Sequence, residues 1–244
     1  MKNNLNADGI SVNWIAFVIY LMLMTLLCSL GFWQLDRAEQ KRQFLQQQQQ
    51  GMLAAPVNLN QHDSEQAIQR YQSVQLTGHY DDEHSFLIDN QIVEGHPGYF
   101  VLTPFILQAQ SGAVLVNRGW LPLTESRQTL PDVSIKQPVT KIHGRINEFP
   151  KVGIQLQGAE IPTETWPAIV QIIDSRLLAD KLGYLLSDFQ IELDADQPAG
   201  YLRRWMIAAT IPPEKHQAYA VQWFGLALTL TVLFIWISFK KYRE

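Results

Sequence analysis

The residues best suited to chemistry lie near the C-terminus of the 244-residue chain. His216 is followed by Tyr219, Ala220 and Trp223. In an α-helix these positions share one face. An imidazole over a small alanine, with two flat rings beside it, could bind haem, which needs an axial nitrogen, an apolar slot and cations for its propionates. The alternative is an interfacial belt in which these side chains only anchor a membrane helix, and the residues by themselves favour the belt.

Two arginines are further candidates for binding an anion. Arg37 follows Trp33 by one helical turn, so it could meet a propionate if its helix pairs with that of His216. The alternative is an arginine that extends to the membrane surface beside an aromatic belt. Arg118 stands in the segment Val116-Asn117-Arg118-Gly119-Trp120 at a predicted strand end, where it suits an anion or a planar partner. A structural pair with a carboxylate is the more common use of such an arginine.

The sequence contains no recognisable motif for catalysis, disulfide formation, a protein-ligated metal or nucleic-acid binding. There is no G-x-S-x-G, H-E-x-x-H, P-loop or G-x-G-x-x-G motif, so we predict that the protein is not an enzyme. The single cysteine, Cys28, excludes a disulfide framework and a cysteine-rich zinc site. The other histidines lack metal-ligand spacing, so we expect no metal site apart from a haem iron at His216. A net charge of −4 argues against a nucleic-acid partner.

Two uncharged segments must position these residues. Trp14 to Trp33 and Tyr219 to Phe239 each have the length of a transmembrane helix, and 17% charged residues overall is low for a water-soluble protein. We predict transmembrane helices at 14–35 and 218–239. A buried core helix or a cleaved signal peptide would be the alternative, but the first segment is too long for a signal peptide and no cleavage site follows it.

The flanking charges predict the orientation. The basic tail, 240–244, is expected to be cytoplasmic, and two spans place the N-terminus, 1–13, on the same side. The stretch 36–217 would then be an extracytoplasmic domain, in the periplasm of a bacterium whose inner membrane holds both spans. Arg37, Lys41 and Arg42 directly after the first span oppose this orientation, but long domains translocate largely regardless of charge.

The central stretch has the pattern of a β-rich domain. We predict that the first helix continues over 36–50 until Gly51 and Pro56 end it, and that short helices lie at 64–71 and 175–182, the latter ending at Gly183. Strands are predicted at 73–77, 86–88, 99–106, 113–120, 139–149, 168–173 and 202–209. The predicted fold is two transmembrane α-helices flanking a mainly antiparallel β domain of the α+β class, barrel-like or a sandwich.

The order of these motifs resembles the Surfeit locus protein 1 family, the cytochrome c oxidase assembly factors. The resemblance covers nearly the whole chain and no motif residue departs from it. It rests on Gly31-Phe32-Trp33-Gln34 with Arg37 and Lys41, Gly78-His79-Tyr80, Gly98-Tyr99, Thr103-Pro104, Val116-Asn117-Arg118-Gly119-Trp120, and His216, Tyr219, Ala220, Gln222, Trp223 and Phe224.

The resemblance implies a role in assembling a haem–copper cytochrome c oxidase. Family members help to insert haem a into the catalytic subunit of the oxidase, and bacterial members have been linked to haem a binding. By resemblance, His216 becomes the candidate axial ligand of a transiently bound haem a, and Arg37 and Arg118 become candidate contacts for propionates or partners. The implied partners are the oxidase catalytic subunit and the lipid bilayer, with haem A synthase as a further candidate.

Two other hypotheses remain open at this stage. A pure scaffold would stabilise an oxidase assembly intermediate without binding a cofactor. A membrane-anchored enzyme would need a nucleophile and a base, and the sequence does not indicate such a pair.

Overall fold

The computed structural model describes residues 14–61, 68–108, 112–123, 129–150, 157–205 and 211–243. The chain divides into two compact units, Met1–Gln46 with Ala208–Glu244, and Gln47–Ile207, and the structure describes the part of each unit that falls in these ranges. The helices are α1 (Trp14–Leu53), α2 (Ser175–Leu182) and α3 (Pro213–Arg243). The strands are β1 (Val57–Asn58), β2 (Ser73–Tyr80), β3 (Phe86–Val93), β4 (His96–Leu107), β5 (Ala113–Pro122), β6 (Lys141–Asn147), β7 (Ala168–Val170) and β8 (Leu186–Leu193).

The two long helices, α1 and α3, are apolar and exposed along most of their length. Both are long and apolar enough to cross a membrane. Only 6% of the apolar stretch of α1 and 11% of that of α3 is buried, whereas a core helix would be mostly buried. Trp14, Met22, Leu228 and Trp236 are among the large apolar side chains that are exposed. Such surfaces suit lipid better than water and indicate a membrane protein.

α1 and α3 pack side by side and run in opposite directions. Near one end, Tyr20 stacks on Phe234 with ring centroids 4.4 Å apart, and its hydroxyl lies 3.2 Å from Thr231 Oγ1. Towards the other end, Phe32 meets the edge of Phe224 at 5.3 Å. Low residue numbers in α1 therefore pair with high numbers in α3, as an antiparallel helix pair requires.

Five strands of the second unit form a closed, barrel-like ring. The strand order is β1-β2-β6-β8-β5-β4-β3-β7, and β2 also pairs with β4, which closes the ring β2-β6-β8-β5-β4. The long strand β4 allows this closure because its first half pairs with β3 and its last residues pair with β2. Among the described residues, five strand pairings are antiparallel and three are parallel, so the prediction of a mainly antiparallel sheet is confirmed.

Strand β5 is the most deeply buried strand of the ring. Its first eight residues are all buried, between β4 on one edge and β8 on the other. Val114 and Val116 pack with Ile191 in one apolar cluster, while Leu115 packs with Phe86 in another. Alternate residues of β5 thus face different halves of the core, as the two-residue period of a strand requires.

Several predicted elements are confirmed. The strands predicted between residues 73 and 173 correspond to β2 through β7, and α1 continues beyond residue 36 as expected. The helix at 175–182 is α2, capped by the Asp174 carboxylate, which accepts hydrogen bonds from the backbone N–H groups of Arg176 and Leu177. It ends at Gly183, whose φ of 78° is the left-handed value expected of a C-terminal glycine.

Other predictions need correction. Gly51 does not end α1; it lies inside the helix, where a Cβ would clash with the Arg70 carbonyl oxygen. Of the helix predicted at 64–71, residues 64–67 lie outside the described residues, and the rest forms a turn with Tyr71 at a φ of 68°. The strand predicted at 202–209 is wrong in its described part, where Leu202 makes one isolated bridge to Trp120; residues 206–209 lie outside the described residues. β1 and β8 were not predicted.

Candidate functional site

The imidazole of His216 is held by a side chain from the other helix of its unit. His216 Nδ1 lies 2.7 Å from Gln34 Oε1. Because an amide oxygen can only accept a hydrogen bond, Nδ1 is the donor, and in the neutral imidazole Nε2 then keeps its lone pair. A histidine that binds a metal is oriented in the same manner, because the ring nitrogen that does not bind the metal donates a hydrogen bond to a neighbouring acceptor. The half-buried His216 is therefore pre-oriented to act as a ligand through Nε2.

Arg37 and Tyr219 lie on one flank of the helix pair. Gln34 of α1 and His216 of α3 are in contact, and Arg37 and Tyr219 each follow their own contact residue by three positions. In an antiparallel helix pair, residues at this spacing from a contact turn to the same side of the pair. The Arg37 guanidinium carbon lies 5.7 Å from the centre of the Trp33 ring. Trp33 and Tyr219 are each 49% exposed, so this flank presents two rings and a cation near the His216 imidazole.

The surface above Ala220 is covered. Ala220 is 1% exposed, and it lies on α3 between the His216 contact with Gln34 and the contact of Phe224 with α1. A flat ligand therefore has no slot over this alanine in the packed pair. Trp223, which shares the face of Ala220, is half-buried. The flank with Trp33, Arg37 and Tyr219, by contrast, is exposed beside His216.

The close packing of the two helices depends on Gly31. A Cβ at this position would stand 2.7 Å from two ring carbons of Phe224. We expect Gly31→Ala to destabilise the helix pair by about 1–3 kcal/mol, because the ring or the helix must move. Thermal unfolding of the detergent-solubilised full chain, followed by circular dichroism, measures this effect.

Gly225→Ala on α3 is the matched control for Gly31→Ala. A Cβ at Gly225 meets nothing within 4 Å, so this variant should be as stable as the parent protein or slightly more stable. Equal melting temperatures for the two variants would contradict the helix packing described above.

Arg118 belongs to the β domain, where it is 2% exposed. Its Nε donates to the carbonyl oxygen of Ala199 at 2.7 Å, and Nη1 donates to the carbonyl oxygen of Val133 at 2.7 Å and to Thr103 Oγ1 at 3.2 Å. Nη2 is 3.5 Å from the Tyr201 hydroxyl. The structural pair with a carboxylate, weighed above as the more common use, is not formed with any residue that the structure describes.

Burial shapes the electrostatics around Arg118. It lowers the pKa of the guanidinium, against the opposing effects of Tyr201, Tyr80 and Asp82. Burial likewise raises the pKa of Tyr80, whose ring centre is 5.9 Å from the Arg118 guanidinium carbon. Since arginine stays protonated in proteins, the domain contains a cation that has carbonyl partners and no paired anion among the described residues.

The residues of the helix pair fit the axial ligation of a haem iron. His216 offers an oriented nitrogen, Trp33 and Tyr219 offer apolar rings, and Arg37 offers a cation, although its Nη1 already donates to Gln40 Oε1 at 2.9 Å. Among the described residues, no group of three His, Cys, Asp or Glu side chains could hold a metal ion.

Sequence reasoning missed two contributors to this site. Gln34 was noted only as a neighbour of Trp33, and the structure makes it the partner of His216. Gly31 was noted only as part of a motif, and it provides the close approach to Phe224. Gln34 and His216, like Gly31 and Phe224, lie far apart in the sequence, so their contacts leave no local sequence signal. The roles of Gln34 and Gly31 become visible only when the two helices are paired.

Comparison with known proteins agrees with this architecture. A SURF1-like protein of Rickettsia felis is 26% identical over 228 residues, covering 89% of this chain and 94% of the relative. A SURF1-like protein of Rickettsia prowazekii is 27% identical over 224 residues, covering 88% of this chain and 87% of the relative. Surfeit locus protein 1 of Arabidopsis thaliana is 24% identical, covering 84% of this chain and 72% of the relative.

The family match extends over most of the chain, including both long helices in part and the whole β domain between them. The model of the SURF1 family matches residues 21–228. The members of this family are known generally as cytochrome oxidase assembly factors, and the family is not known as a family of enzymes. The resemblance seen in the sequence motifs is therefore confirmed, and the chain belongs to the SURF1 family.

Proposed function

We propose that this protein holds haem a transiently through His216 and aids its insertion into the catalytic subunit of cytochrome c oxidase. The observation that carries the proposal is the hydrogen bond between His216 Nδ1 and Gln34 Oε1, which leaves Nε2 available as a ligand. When bound, haem supplies an iron that accepts an axial imidazole. A protein that delivers its cargo must also release it, so we expect modest affinity.

The neighbours of His216 support the same proposal. Arg37 follows Gln34 by three residues, towards the polar part of α1. There its guanidinium would meet a propionate carboxylate. Trp33 and Tyr219 would contact the apolar surface of the macrocycle. Trp223 and Arg118 are weaker candidates, because Trp223 is half-buried and Arg118 lies in the β domain.

The proposed place of action is the inner membrane of a bacterium, with both helices in the bilayer and the β domain in the periplasm. The exposed apolar surfaces of α1 and α3 support insertion, and the basic residues 240–243 support a cytoplasmic C-terminus. In this arrangement His216 lies near the outer surface of the membrane. The proposed partners are the oxidase catalytic subunit and haem A synthase.

A scaffold that binds no haem is the second candidate function. The burial of Ala220 favours it, because the helix interface offers no slot for a flat cofactor. Such a scaffold would stabilise an oxidase intermediate through its surface, and His216 would serve to join the two helices through Gln34.

An absorption spectrum distinguishes the two candidates. The full chain would be purified in detergent from cells that make haem a, beside His216→Ala and the control His143→Ala, whose side chain is exposed on β6 of the domain. We expect a haem a band in the parent protein and in His143→Ala, and its loss or displacement in His216→Ala. Absence of haem from all three proteins, in cells shown to contain haem a, would overturn the haem proposal and favour the scaffold.

A further inference from the structure

The β domain contains a cleft lined by Arg118, which belongs to a different unit from the proposed haem ligand His216. Its volume is about 650 Å3, within the range of small-molecule sites. Its lining comes mainly from two segments, residues 134–141 and the residues Pro198, Ala199, Gly200 and Tyr201. Arg118 lines the cleft although it is 2% exposed, so a charged group lies at its base.

The hydrogen bonds of Arg118 leave part of its guanidinium free to bind an anion. Nε and both N–H groups of Nη1 are directed to Ala199, Val133 and Thr103. Nη2 has two N–H groups, and its one partner among the described residues is the Tyr201 hydroxyl at 3.5 Å. That hydroxyl can accept from Nη2 and still donate its own proton. One N–H of Nη2 and the Tyr201 O–H are therefore two donors beside one buried cation.

The remaining charges of the cleft favour an anion. Lys136 and Lys141 line it, and Asp132, the one acidic residue among the described lining residues, is exposed and accepts a hydrogen bond from Ser134 N at 3.0 Å. With Arg118, the described part of the lining carries three cations and one anion. A buried charge is costly without a counter-charge, so a bound anion would offset the cost of burying Arg118.

The lining also indicates the rest of the ligand. Ile135, Pro138, Val139 and Pro198 contribute apolar surface to a cleft whose base is charged. Lys136 and Lys141 are exposed to solvent, so the buried charge of the cleft is that of the Arg118 guanidinium. One negative charge balances it, which favours a monoanion over a doubly charged phosphate. We propose that this cleft binds a small carboxylic acid with an apolar body, its carboxylate received by Arg118 Nη2 and the Tyr201 hydroxyl.

The test uses octanoate labelled with 13C at its carboxyl carbon, added to the detergent-solubilised full chain in the absence of haem. A detergent micelle raises the pKa of a carboxylic acid by desolvation, whereas a neighbouring guanidinium lowers it. We expect a protein-dependent carboxyl signal in the NMR spectrum that titrates below the pKa of free octanoate. A signal that titrates only above that value would overturn the proposal.

Two variants separate binding in the cleft from binding elsewhere. Gln137 is an exposed lining residue, so Gln137→Trp should block the cleft and abolish the low-pKa signal, while Gln137→Ala leaves the cleft open and retains it. Tyr201→Phe keeps the ring beside Arg118 and removes one donor, so binding should weaken about tenfold. An unchanged signal in Gln137→Trp would exclude the cleft.

Competition defines the class of the ligand. Octan-1-ol has the same apolar body without the charge and should not displace octanoate. Octyl phosphate should compete less well than octanoate itself. Displacement by octan-1-ol, or stronger binding of octyl phosphate, would overturn the assignment to a carboxylate. Because haem is absent throughout, the outcome is independent of the spectrum that tests the haem proposal.

Discussion

Arg118→Leu should destabilise the β domain by about 2–4 kcal/mol, the largest loss that we expect from a single substitution in this protein. The leucine would leave the carbonyl oxygens of Val133 and Ala199 without their donor, and a buried unsatisfied group costs about 1–3 kcal/mol. Removing a buried cation offsets part of this cost. Chemical denaturation of the full chain in detergent, followed by tryptophan fluorescence, would measure the difference.

Arg204→Leu is the matched control for Arg118→Leu. Arg204 forms an ion pair with Glu94, but both side chains are more than half exposed, so its loss should cost less than about 1 kcal/mol. If the two variants unfold at the same denaturant concentration, Arg118 does not stabilise the domain as its hydrogen bonds indicate.

Gln34→Leu should weaken haem a binding about 10–100-fold, because the hydrogen bond that orients His216 is lost while the ligand itself remains. This expectation rests on the proposed function. Gln34 acts as a positioning residue, so a second readout is needed. Gln34→Glu would retain haem and lower its reduction potential, because a carboxylate makes the imidazole a stronger electron donor to the iron.

Gln43→Leu is the control for the Gln34 variants, since it makes the same change on an exposed part of α1, where the side chain donates to Glu39 of the same helix. Spectral titration with haem a gives the dissociation constants, and a redox titration gives the potentials. Equal affinities of Gln34→Leu and Gln43→Leu would show that the hydrogen bond to His216 does not support haem binding.

The helices were predictable from the sequence because their signals are local. An uncharged run long enough to span a bilayer, a proline at the start of α3 and a glycine after α2 each act within a few residues. The strands β2 to β7 likewise have apolar patterns that indicate them. The sequence left open whether the β domain is a barrel or a sandwich, because closure of the ring depends on pairings between strands far apart in sequence.

Strand β8 shows why the sequence did not predict every strand. Its residues Gln190 and Glu192 are buried polar groups, which a sequence pattern assigns to the surface. In the structure Asn117 donates to Gln190, while Arg145 and Asn147 donate to Glu192. These partners come from neighbouring strands, so the burial of β8 becomes intelligible only once the ring is formed.

The candidate site was predictable in its residue types but not in its geometry. His216, Trp33 and Arg37 were identified from their spacing. The part played by Gln34 and the covering of Ala220 follow from helix packing, which the sequence does not encode locally. For Arg118, the sequence favoured a carboxylate partner, whereas the structure provides backbone carbonyls from two separate segments.

The parallel pairing of β5 with β8 also bears on how the chain is made. During synthesis β5 leaves the ribosome roughly seventy residues before β8, the strand that pairs with its second edge. The barrel therefore cannot close until β8 has emerged. Until then β5 and β6 each present an unpaired edge to other chains. A protein cut short before β8 is therefore expected to accumulate as aggregates or to be degraded, even though it still contains seven of the eight strands that the structure describes.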